Sequence, residues 1–293
     1  MSEKGGNATS ARIDPPLKWH VDGGKHYLAS KLVAMMPRHT HYVEPFAGGL
    51  AVLLAKDPEG VSEVVNDTHT DLTRFWQVLQ GGDSFEQFRR LCEATPFSEA
   101  EFDRSAVEFS EFPAGLPGDS DIVRAWRFFV LCRQSLAGRM KAFAPLSRSR
   151  VRRGMNEQAS AWLTAVEGLP AVHQRLKRVV VLNRDAVEVI KGQDGPGTLF
   201  YCDAPYVKAT RTAPDVYTHE MTDDQHHSLL VALSEVKGTF LLSGYRSKLY
   251  DDAARDCGWT KTEFELPNNS AGGAAKRRMI ECVWTNFDPE APG

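Results

Sequence analysis

The chain has 293 residues, a net charge of −3, 42% hydrophobic and 25% charged residues, which suits one large globular domain or a catalytic domain carrying an insert. No apolar run approaches the roughly 20 residues of a membrane-spanning helix, and the small, polar stretch 1–15 reads as a disordered leader rather than a signal peptide. Five scattered cysteines without a C-x-x-C pair, and nine histidines without ligand spacing, argue against a disulfide framework or a metal site and predict a reducing, cytoplasmic setting.

Residues 41–46 predict a short buried strand, cut by the turn Ala47-Gly48-Gly49 and followed by an apolar helical run over 50–55. A second strand over 61–65 ends at Asn66-Asp67. Over 71–79, Leu72, Phe75, Trp76 and Leu79 fall on one helical face. This strand–turn–helix–strand unit opens a doubly wound α/β sheet. From 81 to 177 the pattern turns helical and loop-rich, with its strongest helix over 121–136. Strands resume at 178–182 and 198–202. Thr222-Asp223-Asp224-Gln225 has the form of a capping box and opens a helix running to 236, on which the adjacent His226 and His227 are expected to face solvent. A strand over 239–243 and a helix over 247–257, ended by Gly258, follow. Strands over 260–266 and 279–286 form an antiparallel pair closing the sheet. The predicted fold is a Rossmann-like α/β sheet built from 16–80 and 178–288, with a mainly helical inserted domain over 81–177.

Two motifs leave the carboxyl ends of predicted strands, where open α/β sheets bind ligands. In Glu44-Pro45-Phe46-Ala47-Gly48-Gly49 the glycines let backbone approach a cofactor, and Asp67 ends the next strand, where a carboxylate accepts from ribose hydroxyls. The turn lacks G-x-G-x-x-G, so an adenosine cofactor without phosphate suits it better than a dinucleotide. The second motif is Asp203-Ala204-Pro205-Tyr206. Adenine's exocyclic nitrogen is a poor nucleophile because its lone pair is delocalised into the ring. Acceptors on both of its N–H bonds, the Asp203 carboxylate and the residue-204 carbonyl, would favour a pyramidal nitrogen. Tyr206 offers a face on which an extruded base stacks.

Charge is uneven. No acidic residue occurs between Ile122 and Asn156, whereas Arg124, Arg127, Arg133, Arg139, Lys141, Arg148, Arg150, Arg152 and Arg153 do, and Lys276-Arg277-Arg278 lies near the C-terminus. Such a stripe reads either as a phosphate footprint or as a solvated face paired with acids.

In order and content these motifs resemble those of DNA adenine-N6 methyltransferases of the Dam-like class. The resemblance rests on Lys18-Trp19 with Gly23-Gly24-Lys25, Glu44 to Gly49, Asn66-Asp67 with Asp71-Leu72, Asp203 to Tyr206, and the tail Arg277 to Trp284, so it spans about residues 16–287. It implies methyl transfer from S-adenosylmethionine to adenine N6 in double-stranded DNA, with the target base flipped. Trp19, Lys25, Phe46, Ala47, Gly48, Asp67, Asp185 and Asp203 would line the cofactor pocket, and Asp203, Ala204, Pro205 and Tyr206 would hold the target. The insert would recognise DNA, with Arg133, Arg139, Lys141, Arg148, Arg150, Arg152, Arg153, Lys276 and Arg277 as contacts; no metal or membrane is implied, and oligomeric state is left open. For several residues the alternatives are plain: Trp19 as a hydrophobic anchor, Lys25 as a helix N-terminal charge, Asp185 as a helix cap, Arg139 in an ion pair. The sequence departs from the family at Leu50, where a second glycine is common, and at Ala204, where the family has proline. Losing the ring that fixes φ near −65° predicts a looser loop and slower chemistry. The rival readings are an amino-group methyltransferase acting on RNA, cytosine N4 or a protein amide, and a homologue weakened by Ala204.

Overall fold

A computed structural model describes residues 13–17, 25–111, 120–210, 220–267 and 278–290. Helix α1 (Lys25–Met35) precedes β1 (His41–Glu44), α2 (Ala51–Ala55), β2 (Ser62–Asn66) and α3 (Thr70–Gln80). Helices α4 (Gly82–Ala94), α5 (Glu99–Glu111) and α6 (Asp121–Gln134), the small strands β3 (Val151–Arg152) and β4 (Met155–Asn156), and α7 (Glu157–Leu176) make up the stretch 81–177. Strand β5 (Val179–Leu182), α8 (Ala186–Gln193), β6 (Thr198–Cys202), α9 (Asp223–Ser234), β7 (Thr239–Tyr245), α10 (Lys248–Cys257), β8 (Thr260–Pro267) and β9 (Arg278–Thr285) complete the chain.

Seven strands form one sheet in the order β5-β2-β1-β6-β7-β9-β8. The first five run parallel; β9 is antiparallel to both β7 and β8. Strand β6, Thr198-Leu199-Phe200-Tyr201-Cys202, has parallel neighbours on both sides and is buried throughout, which is why it reads as a continuous apolar run rather than an alternation. Because side chains alternate across a sheet, each central strand feeds two cores. Tyr42, Leu199, Tyr201, Leu241 and Val283 join the core beneath α1, α3 and the insert. Val43, Phe200, Cys202, Leu242, Cys282 and Trp284 join the core beneath α9 and α10.

The stretch expected as an inserted helical domain is helical, but its apolar faces are not set apart from the sheet. Phe88 of α4, Phe128 and Phe129 of α6, and Trp162 of α7 are fully buried around Phe75 of α3, in the core that the sheet's own residues share. Sequence periodicity did not reveal the hairpin β3–β4, whose two-residue turn places Arg153 (φ 54°) and Gly154 (φ 76°) in the left-handed region that tight hairpins need. Ile13, read as part of the leader, packs against the same core; residues 1–12 lie outside the described residues.

Local signals hold well elsewhere. Thr222 and Gln225 exchange both bonds of the capping box, and Gly258 ends α10 at φ 69°. His226 corrects the expectation of a solvated face. It is fully buried, with Nδ1 2.9 Å from the Tyr250 hydroxyl, while His227 is exposed. Among the described residues no helix is long and apolar enough to cross a membrane.

Candidate active site at the carboxyl edge of the sheet

Strand order reverses at β1, whose partners are β2 on one side and β6 on the other. At such a switch point the loops diverge and leave a crevice. Asn66, fully buried at the end of β2, ties this edge together. Its amide donates to the carbonyls of Pro45 and Arg184, both at 3.0 Å, and accepts from the Arg184 N–H at 2.9 Å. The loops after β1, β2 and β5 are thereby locked to one another. Asp67 accepts from the Gly48 N–H at 3.1 Å and from the His69 N–H at 2.9 Å, and the Trp76 indole donates to the Gly48 carbonyl at 3.3 Å. Gly48 itself sits at φ 46°, a conformation free to glycine. Leu50 also lies in the left-handed region, at φ 57°. A glycine there would avoid the strain of roughly 1–2 kcal/mol, but the leucine side chain is 1% exposed and packs in the core.

The tetrapeptide follows β6. Tyr42, Glu44, Tyr201, Asp203, Ser243, Tyr245 and Glu281 share one strand parity, that of the core beneath α1, and lie at the carboxyl edge of β1, β6 and β7 beside the start of β9. The register pairs Tyr245 with Glu281. Lys25, first residue of α1, reaches into this polar layer. Its ammonium stands 2.7 Å from the Tyr206 hydroxyl and 3.1 Å from Asp203 Oδ1, and it also contacts Glu281 Oε1. The Tyr206 hydroxyl donates to Glu281 at 2.9 Å, and Tyr245 meets the Tyr206 ring edge-on with centroids 4.3 Å apart. Ser243 donates to Asp203 Oδ1 at 3.4 Å. Burial pulls the Lys25 pKa down, but the Asp203 and Glu281 carboxylates outweigh it and hold the group well above the ordinary lysine value. Burial raises Asp203 above its ordinary value; Lys25 opposes that shift and Glu281 adds to it.

A glycine turn and a polar corner rich in carboxylates thus share the carboxyl edge of one sheet, and the comparisons with known proteins say to which family such a chain belongs. Residues 22–264 match the D12 class N6 adenine-specific DNA methyltransferase family. The chain belongs to this family. The adenine-specific DNA methyltransferase is also similar to the Type II methyltransferase M1.LlaDCHI of Lactococcus lactis subsp. cremoris, at 23% identity over 94% of this chain and 96% of that one. Among solved structures it is similar to a mutant of Spodoptera frugiperda DNMT2, at 18% identity and a TM-score of 0.24, over 40% of this chain and 39% of that one.

The methyltransferase places its predicted site residues unevenly. Gly48 and Asp67 meet, as do Lys25, Asp203 and Tyr206. Ala47 and Phe46 line the same turn, with the Ala47 N–H donating to the Asn66 carbonyl at 2.8 Å. Ala204 is 2% exposed and joins the core beneath α9. Asp185 caps α8, one carboxylate oxygen accepting from the N–H groups of Val187 and Glu188; it is exposed at the end of β5. Trp19, Lys276 and Arg277 lie outside the described residues.

The basic stripe splits in two. Arg124 is buried in a two-bond pair with Asp71, Arg127 is buried against Glu108, and Arg153 pairs with Glu167 at the surface. Arg133, read from the sequence as a DNA contact, is half-buried and donates to the Ala161 carbonyl at 2.8 Å, and burial lowers its pKa to about 10. Arg139, Lys141, Arg148, Arg150, Arg152 and Arg153 remain exposed, on and before the β3–β4 hairpin.

The sequence motifs contain Glu44 and Glu281 but assign neither a place in the site, and they do not include Ser243 or Tyr42. Glu281 left one signal: an acid inside the strand Arg278-Met279-Ile280-Glu281-Cys282-Val283-Trp284-Thr285, at the parity of buried Val283. Glu44 is 1% exposed, accepts from the Tyr42 hydroxyl at 2.7 Å, and is pushed by burial from 4.5 up to about 8. Its folded-state pKa lies above the unfolded value, so the folded methyltransferase keeps a proton that the unfolded chain has lost. Stability from this group is full below pH 4.5 and falls as pH rises to about 8, by a few kcal/mol in all. Denaturant midpoints for wild type and Glu44→Gln should therefore converge at pH 5 and separate at pH 9, the variant being the more stable; parallel profiles would contradict the assignment.

Proposed function

We propose that the methyltransferase binds S-adenosylmethionine across the carboxyl ends of β1, β2 and β5 and delivers its methyl group to an adenine rotated out of double-stranded DNA. The donor set at this edge fits such a ligand. The Asp67 carboxylate is held in a fixed orientation by two backbone N–H groups and suits ribose hydroxyls, and the glycine turn leaves room for close approach. Asp185 lies at the end of β5 to meet the adenine end. When bound, the cofactor supplies an electrophilic methyl group on a sulfonium. Asp203 accepts one N–H of the target amino group and the residue-204 carbonyl the other, orienting the lone pair at the methyl, while Tyr206 stacks on the base. The single observation carrying this reading is that β1 and β6 are parallel neighbours, so that the Gly48–Asp67 turn and Asp203 leave the same edge of the sheet at its switch point. Incubation with DNA and labelled cofactor, followed by digestion to nucleosides, should give N6-methyladenine; its absence would overturn the reading.

Two further predictions follow from the placement of side chains. The exposed cations of the insert contact phosphate, so Arg152→Ala weakens binding to all DNA sequences alike and reduces the slope of log K against log salt by about 1. Titrations at several salt concentrations check this, and an unchanged slope counts against the face. Ala204→Pro stiffens the loop that presents Asp203 and raises the single-turnover rate; equal rates would show that the missing ring has no catalytic cost.

A further inference from the structure

Asp203 faces a difficulty in the role just proposed. It must attract an amino group that becomes positive, yet a lysine ammonium stands 3.1 Å away. A carboxylate neutralised by its own ion pair makes a weak acceptor. The geometry around Lys25 resolves this. Its ammonium also contacts Glu281, which is 1% exposed at the start of β9, whereas the Asp203 side chain keeps a quarter of its surface open. The Tyr206 hydroxyl spends its proton on Glu281 as well, at 2.9 and 3.1 Å from the two oxygens. Both corner donors are thus drawn back onto a carboxylate that no base could reach.

Resting on the reading of Asp203 as the amino-group acceptor, we infer that Glu281 is the positioning residue of the corner, taking up the Lys25 charge so that Asp203, Glu281 and Lys25 together present a net charge of −1 to the target nitrogen. In the transfer, the adenine N6 lone pair forms the N–CH3 bond as the S–CH3 bond breaks with its electron pair going to sulfur. Positive charge moves onto N6 until one of its protons passes to Asp203 and on to solvent. The surplus negative charge is in place before that charge develops, so little reorganisation is needed. Glu44, protonated below about pH 8, adds no charge at neutral pH. Among the described residues, the titratable groups that interact electrostatically with Asp203 are Lys25, Glu281, Glu44, Tyr201, Cys202 and Tyr250, and the Ser243 hydroxyl donates to it.

The test uses the full chain and DNA carrying its target adenine. Glu281→Gln keeps the shape and an acceptor for Lys25 and Tyr206 but removes the charge. The expected result is a fall in single-turnover rate of about 100-fold, with DNA affinity and target-base 2-aminopurine fluorescence unchanged. The acid limb of the rate profile should also shift to lower pH, because Asp203 loses a like-charged neighbour. Glu281→Asp, which restores the charge, should return the limb to its wild-type position, and it serves alone, retaining that limb, if Glu281→Gln does not fold. A Glu281→Gln variant with wild-type rate and limb overturns the inference while leaving the role of Asp203 intact. Full activity in Asp203→Asn overturns both.

Discussion

Asp203→Asn is expected to cost about three powers of ten in the single-turnover rate of N6-methyladenine formation, with DNA affinity changed by no more than a few-fold. The substitution is nearly isosteric, so the loss is one of chemistry. Asp203 Oδ1 serves Lys25 at 3.1 Å and Ser243 at 3.4 Å. An asparagine must put its NH2 either toward these donors or toward the target's own N–H; each orientation sets donor against donor. It also removes one of two carboxylates around a lysine that burial already disfavours. A residual rate above a tenth of wild type would mean that the amino group is gripped elsewhere.

The second large effect concerns stability and centres on Glu63 of β2, the register partner of Tyr42. Glu63 is fully buried between two cations: Arg175 of α7 at 2.5 and 2.7 Å, and Lys56, just after α2, at 3.2 Å. Arg175 also donates to the Leu53 carbonyl at 3.1 Å, and the Lys56 ammonium lies 5.1 Å from the centre of the Tyr42 ring. The cluster ties the last helix of the insert to the central sheet. Such pairs add little net stability when formed, because desolvation offsets attraction, but breaking one strands a charge. Glu63→Ala strands two. We expect a loss of about 3–5 kcal/mol, a fall of roughly 10 °C in Tm. Glu167→Ala, which breaks the exposed pair with Arg153, should leave Tm essentially unmoved. A similar small change in both variants would show that the buried cluster relaxes or hydrates.

Much of the fold was legible because its signals are local. The capping box at Thr222, the glycine stop at Gly258, the apolar run of β6 and the Asn66-Asp67 strand end each depend on residues within a few positions. The errors share a different cause. His226 lies on a polar-looking helix start, and its burial depends on Tyr250, 24 positions on. The partner that half-buried Arg133 finds, the Ala161 carbonyl of another helix 28 positions on, is equally beyond local reading.

The site divides in the same way. The sequence by itself determined that a glycine turn, an aspartate at a strand end and an Asp-Ala-Pro-Tyr corner follow parallel strands, because backbone geometry and the chemistry of an unreactive amino group restrict which residues serve there. Only the tertiary structure decided that Lys25 belongs to the reactive corner and that Glu281, 256 positions away, holds it there. It alone decided, too, which arginines of the insert remain at the surface. Charge partners are chosen by which strand edges and helix ends the topology brings within a few ångströms, in a medium of low dielectric where an unpaired charge is costly, and no periodicity along the chain encodes that choice.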